Sequence, residues 1–163
     1  MPGTESSLAV AATTRTPHIS YVIARLERAV RKEIGRLVGP RGLSVAQYTT
    51  LSILRSRSGL SNAQLARRLW VTPQSMNEVI SALERAGLID RVPDAGNRRI
   101  LRTALTPTGK ATLDACDADI LAMEEQMLAE VTGEDHDHLV ATLEGCILRI
   151  GAMSDERRAD GIA

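Results

Sequence analysis

The chain has 163 residues, 44% of them hydrophobic, yet it contains no Phe, one Trp and two Tyr. Such a core must be built from Leu, Ile, Val, Ala and Met, which suits packed helices and disfavours a β-sandwich. With zero formal net charge and only two cysteines, the composition excludes a disulfide scaffold and a uniformly basic nucleic-acid binder, and no apolar run is long enough to span a bilayer.

Residues 1–16 are small and polar, too poor in apolar side chains to support a core, and are expected to form a disordered tail. Thr16-Pro17 predicts the start of a first long helix with Ile19, Val22, Ile23, Leu26, Val30, Ile34 and Leu37 as its apolar stripe. Gly39-Pro40-Arg41-Gly42 breaks it. Ser44 and Gln47 then make a capping box that opens a helix ending near Gly59, with Val45, Tyr48, Leu51 and Leu54 facing inward. A second box, Ser61 with Gln64, opens a short helix carrying Leu65, Ala66 and Leu69. Trp70 and Val71 interrupt the pattern, and Trp70 is expected to pack under the next helix because so large an apolar surface rarely stays exposed. That helix starts at Thr72, an N-cap, and Pro73, whose missing N–H costs nothing in a first turn. Met76, Val79, Ile80 and Leu83 form its inner face, while Gln74, Ser75, Asn77, Glu78 and Ser81 turn outward. Gly87 suits a left-handed cap. Leu88–Val92 and Ile100–Leu105 are β-prone runs around a turn at residues 93–97. Thr106-Pro107 starts a helix running to about Val131, and Thr132-Gly133-Glu134-Asp135 restarts the chain into a last helix with Leu139, Leu143, Cys146, Ile147, Ile150 and Met153 on one side.

Two short helices joined by a tight turn and followed by a hairpin predict a fold that is mainly α with a small β-wing: a winged helix-turn-helix over residues 44–105. Charge supports a nucleic-acid partner once its distribution is considered. Arg55 to Arg102 holds nine Arg against four acidic residues, whereas the remainder after Arg102 holds four basic against thirteen acidic residues. A basic head on an acidic rear half orients approach to double-stranded DNA, because the local field matters more than the total. Gln74, Ser75 and Asn77 are the candidate base readers, since Gln and Asn bond adenine bidentately and Ser donates or accepts. Arg67 and Arg68, with Arg55, Arg57 and the helix start at Ser61, are candidates for the phosphate backbone, and Thr72 and Pro73 for the same face. Arg98 and Arg99, at the hairpin tip beside Asn97, suit a narrow minor groove.

On the helix-turn-helix, on ALERAGLIDR and on NRRILRTALTPTG, the chain resembles the MarR family of winged-helix transcription regulators. Arg99, Leu105, Thr106 and Gly109 fall in the places of the family's D-x-R, five residues, L-T-x-x-G signature, while Asn97 replaces its aspartate, which in the family braces a wing arginine. Asn77 stands where many relatives carry a larger basic residue, so base preference does not transfer. The helices at residues 17–38 and 106–158 carry more apolar face than a small wing covers, which predicts a twofold homodimer, as the resemblance also implies, and hence a near-palindromic operator. The resemblance further implies a repressor relieved by a small phenolic or aromatic anion bound between dimer base and reading head, where His18, Tyr21, Arg25 and Tyr48 are the candidate contacts. For Tyr48 a core position is weighed above a ligand contact.

Other residues read as structural. His136 and His138 are spaced i, i+2 and point to different sides of a helix, so no metal is expected. Cys116 and Cys146 read as small buried hydrophobes in a reducing cytoplasm. No nucleophile elbow, paired carboxylates or phosphate-cradling loop suggests an enzyme, and no cofactor is expected. Two rivals stand beside the ligand-relieved repressor: a regulator of the same fold controlled by cysteine oxidation or by abundance, and a winged helix that binds protein.

Overall fold

In the computed structural model, which describes residues 17–159 and side chains to residue 153, helices α1 (Ile19–Val38), α2 (Val45–Ser56), α3 (Asn62–Arg68) and α4 (Pro73–Arg85) precede a hairpin of β1 (Ile89–Pro93) and β2 (Leu101–Leu105), and α5 (Pro107–Met127) and α6 (Gly133–Ala159) follow it. The fold is the expected winged helix-turn-helix carried between long helices. The tail expected over residues 1–16 lies outside the described residues.

Helix starts are set by side-chain oxygens. Ser44 and Ser61 each accept from the backbone N–H three residues on, at Gln47 and Gln64, whose amide oxygens accept in return from the serine N–H. Both capping boxes therefore form, satisfying two otherwise orphaned N–H groups at each end. Thr72 and Thr106 cap α4 and α5 ahead of prolines at the first helical position. The start of α1 departs from expectation. His18 at ψ 137° is still extended and makes no side-chain cap, and its carbonyl accepts from Tyr21 and Val22, so the helix begins after Pro17 instead of on it.

Two helix ends also come earlier than periodicity suggests. Arg57 is extended at the end of α2, and Gly59 at φ 76° turns the chain so that Leu60 bridges Thr103 of β2. The two-stranded wing thus gains a short third edge, through Gly59 N–H to Thr103 O at 2.9 Å and Thr103 N–H to Leu60 O at 3.0 Å. At the other end Leu128, φ −106°, leaves the helix, and the Val131 N–H folds back to its carbonyl.

The core lies beneath the reading head. Leu51, Leu54, Leu65, Met76, Ile80, Leu83, Ile89, Leu113 and Cys116 are all essentially inaccessible, bringing α2, α3, α4, β1 and α5 onto one apolar cluster. Burying each large aliphatic side chain is worth about 1.5–3 kcal/mol before the entropy of ordering it. Ala66, 2% exposed, lets α3 and α4 approach, and Asn62 Nδ2 spans them by donating to Pro73 O at 3.1 Å. By contrast Ile19, Val22, Ile23 and Leu26 on α1, and Leu143, Ile147, Leu148, Ile150 and Met153 on α6, are exposed. No helix among the described residues is long and apolar enough to cross a membrane.

One junction joins reading head to long helices. Gly87, φ 67°, ends α4, and its carbonyl accepts from the Thr106 hydroxyl at 2.7 Å, while the Thr106 hydroxyl oxygen accepts from Gly109 N–H at 2.9 Å. Thr106 N–H donates to Leu88 O, and Gly109 lies so close to the Leu88 carbonyl that a Cβ would collide with it. This accounts physically for Thr and Gly at those two signature positions. Gly109→Ala is expected to lower stability by about 1–3 kcal/mol, the usual cost of forcing atoms into packed structure. Urea unfolding is the measurement, and a midpoint equal to the parent's would show that the junction yields freely.

Candidate nucleic-acid interface

The outward face of α4 carries Gln74, Ser75, Asn77 and Glu78, all exposed, on a helix whose Met76, Ile80 and Leu83 are buried. The residues proposed for recognition divide by what they are already bonded to. Ser61, Thr72 and Pro73 build the motif itself, as two caps and a carbonyl held by Asn62. The Ser75 hydroxyl lies 2.9 Å from Thr72 Oγ1, so it is shared with the cap. Neither side-chain amide of Gln74 nor of Asn77 has a partner among the described residues, and both are open to a base edge. Arg67 and Arg68 are exposed on the last turn of α3, where cations also complement the helix dipole.

On the wing, Ile89 pairs with Leu105 and Pro93 with Leu101, leaving residues 94–100 as the tip. Asn97 Oδ1 accepts from Arg99 N–H at 3.1 Å and so shapes the tip; it holds no guanidinium. Arg98 and Arg99 are exposed, and neither guanidinium has a partner among the described residues. Arg91 on β1 ion-pairs with Glu84 on α4, fastening the wing to the recognition helix, and this bond holds the Glu84 carboxyl below its ordinary range. Asp94 and Arg102 make a second ion pair at 2.6 Å. Neither pair was foreseen. Pro93-Asp94-Ala95-Gly96 carries the mark of an Asx turn, which singles out Asp94, but its partner lies eight residues away across the hairpin and is set only by strand register.

Trp70 and Arg55 sit elsewhere than expected. Trp70 is 58% exposed, not packed under α4. Its φ of 54° swings the chain so that Val71 N–H returns to Ala66 O, Leu69 fills the half-buried position, and the indole is turned out alongside Gly151 of α6. A bulky residue in that conformation is strained, a state that surrounding structure must impose. Arg55 points to α5 instead of a phosphate, paired with Asp117 and lying 3.6 Å from Asp114.

Asp117 also accepts from the Tyr48 hydroxyl at 3.1 Å, and burial foremost, with this neighbouring carboxylate, pushes the phenol up to about 12. Tyr48 therefore serves the α2–α5 contact. His18 and Tyr21 are exposed at the start of α1, with the Arg25 guanidinium 5.7 Å over the Tyr21 ring. The single chain does not bring these four residues together around either cavity of the reading head.

Of those cavities, one of about 380 Å³ lies between the start of α3, α4 and the wing, lined by Ser61, Asn62, Ala63, Asn77, Ile80, Arg91, Arg99, Ile100, Leu101 and Thr103. Three buried polar atoms have no partner among the described residues, Asn62 Oδ1, Arg91 Nε and Thr103 Oγ1, and all three residues line it. Leaving a buried donor or acceptor unpaired costs about 1–3 kcal/mol each, and here all three fall where the wing meets α3 and α4. A second space of about 580 Å³ runs along Arg67, Trp70 and Pro73 to Gly151. Among the described residues no cluster of His, Cys, Asp or Glu is able to hold a metal. His136 Nδ1 lies 3.4 Å from its neighbour Asp137.

Known proteins share this arrangement. The MarR family model matches residues 43–101, from the residue before the first capping box into β2. The chain is 32% identical over 126 residues to the HTH-type transcriptional repressor Rv2887 of Mycobacterium tuberculosis, an alignment covering 77% of this chain and 91% of that one. Crystal structures of Rv2887 in complex with DNA and with salicylic acid each superpose with a TM-score of 0.65 at 31% identity, the first over 80% and the second over 81% of this chain, and each over 98% of the other. The transcriptional regulator BldR of Sulfolobus solfataricus superposes with a TM-score of 0.72 at 26% identity over 80% of this chain and 92% of its own. With a family match over the helix-turn-helix and into the wing, and a relative 32% identical over most of both chains, the chain belongs to the MarR family of winged helix-turn-helix transcriptional regulators.

Proposed function

We propose that the protein acts as a homodimeric repressor whose two α4 helices enter successive major grooves of a near-palindromic operator, with half-sites ~10 bp apart, and that a small aromatic anion relieves the repression. The observation that carries this reading is the open row of amides on α4 beside two unpaired arginines at the wing tip. Gln74 and Asn77 read base edges, Ser75 contributes what its cap leaves free, Arg67 and Arg68 hold phosphates, and Arg98 and Arg99 reach the minor groove. The exposed apolar faces of α1 and α6 supply the self-complementary surface for the second copy. Relief by a ligand draws support from the salicylic and p-aminosalicylic acid complexes of Rv2887. Within one chain, the space suited to such an anion is the cavity under Asn77. Arg91 and Arg99 bring guanidinium charge to a carboxylate there, and Ile80, Ile100 and Leu101 offer an apolar wall to a ring. His18, Tyr21 and Arg25 remain candidates for a site completed by dimerisation.

Of the two cysteines read as buried, Cys146 is only half-buried, but the redox alternative has less to rest on at Cys116. Cys116 is wholly buried, and burial raises its thiol pKa, the reverse of what a reactive thiolate needs.

Protection of a near-palindromic site in DNA flanking the protein's own gene, by a species of twice the chain mass, is the expected outcome of footprinting and light scattering; a monomer, or no preference over random competitor, would refute it. Asn77→Ala is expected to cost about 1–3 kcal/mol at one base pair and relax its specificity, whereas Arg68→Ala weakens all duplexes alike and lowers the salt slope by about one. Competition binding at several salt concentrations separates the two. Thr103→Val keeps side-chain shape and removes an orphaned hydroxyl, so it is expected to stabilise the protein by about 1 kcal/mol while blunting release of DNA by salicylate. Unchanged release by salicylate would move the effector site away from this cavity.

A further inference from the structure

Asn97 stands where the family signature has an acid, yet the wing is not without one. Asp94 Oδ1 accepts from the backbone N–H groups of Gly96 and Asn97, both at 3.0 Å, and its Oδ2 accepts from Arg102 Nε at 2.6 Å. Arg102, on the opposite strand, then donates through Nη1 to the carbonyl of Gly59 and to Gln64 Oε1, each at 3.3 Å. That amide oxygen is the one that caps Ser61 N–H at 2.9 Å. One guanidinium thereby joins the tip of the wing, the turn after α2 and the first turn of α3. A two-stranded hairpin has little stiffness of its own, so its angle to the helices depends on such ties. The arginine held here lies on the strand, and both tip arginines stay unpaired.

We propose that Asp94 and Arg102 are a positioning pair that sets the angle of the wing against α3, and so delivers Arg98 and Arg99 to the minor groove beside the bases read by α4. The inference rests on the DNA-binding reading above. Neither member of the pair touches DNA in this scheme; the pair acts through the two arginines beyond it. The acid missing at position 97 is made good by a different carboxylate holding a different arginine, with the gain of a second free cation at the tip. The surroundings favour the ionised carboxylate: Arg102 first, then the Asn97 and Gly96 N–H groups, hold Asp94 below its ordinary range.

The test exploits a difference in sign. Asp94→Asn keeps an oxygen for the turn N–H groups but removes a negative charge from a DNA-facing loop, so charge alone makes binding tighter. The positioning role makes it weaker, by about tenfold, the order of a lost coupling between contacting groups. Duplexes selected from a random pool by the wild-type protein, carrying either A·T-rich or G·C-rich flanks, are the probes, with thermal unfolding run alongside. The loss is expected on the A·T-rich flank, where the minor groove is narrow and most negative, and to be smaller on the other. Arg102→Met is expected to match it, and the double variant to lose less than about twofold more than either single one, as for groups acting as one unit. Should Asp94→Asn impair folding, Arg102→Lys carries the same test, because it keeps the charge but not the forked reach to Gln64 and Gly59; a several-fold loss on the A·T-rich flank is expected. Equal or tighter binding by a folded Asp94→Asn, or losses that multiply in the double variant, would overturn the pairing and make Arg102 an independent contact. Failure of the wild type to select any duplex would instead sink the DNA-binding reading and this inference with it.

Discussion

The close approach of Gly109 to the Leu88 carbonyl, with Thr106 bonded across to Gly87, is the constraint on which the rest of the molecule depends. Within a few residues the recognition helix ends, the wing begins, and the long helix α5 leaves in a new direction. No side chain fits between the two backbones at this point, so the junction of α4 with α5 is packed backbone against backbone. In a twofold assembly the angle between them sets the separation of two recognition helices, so a local steric fact becomes a statement about operator spacing. In the proposed reading this junction would give an effector leverage. A guest that favours one arrangement of wing or helix over another need only bind the two arrangements unequally, and one that binds both alike shifts nothing.

Electrostatics divides the chain into a basic head and an acidic rear. Arg55 is drawn to Asp117 and Asp114 of α5, and Arg41 to Asp119 at 2.8 Å, so acids of the rear half engage arginines that face them. The pairs are partly exposed, and such bridges contribute little to stability. Their consequence is to pair two cations with the acidic rear, while Arg57, Arg67, Arg68, Arg85, Arg98 and Arg99 keep exposed positive charge with no carboxylate partner among the described residues. The zero net charge is thus a sum of two opposed surfaces.

The wing is held at three places, two by side chains, Arg91 to Glu84 on α4 and Arg102 to Asp94 and Gln64, and one by the backbone bridge of Leu60 to Thr103. Between these ties lies the cavity with its unpartnered polar atoms.

What could be known from residue order alone was local in origin. Capping boxes at Ser44 and Ser61, the Thr-Pro starts at residues 72 and 106, the inner face of α4 and the two wing strands all depend on interactions spanning a few residues, and they form as the spacing dictates. The family signature added Thr106 and Gly109 without saying why they are needed. Tertiary structure decided everything that joins distant positions: that Trp70 is turned outward, that Arg55 answers to Asp117 sixty-two residues away, that Asp94 and Arg102 meet, and that Asn62, Arg91 and Thr103 surround one space. Periodicity can tell which way a residue faces on its own helix, but a long side chain's partner depends on how separate elements cross, and that angle is set by packing at points such as Gly109, far from the residues it brings together.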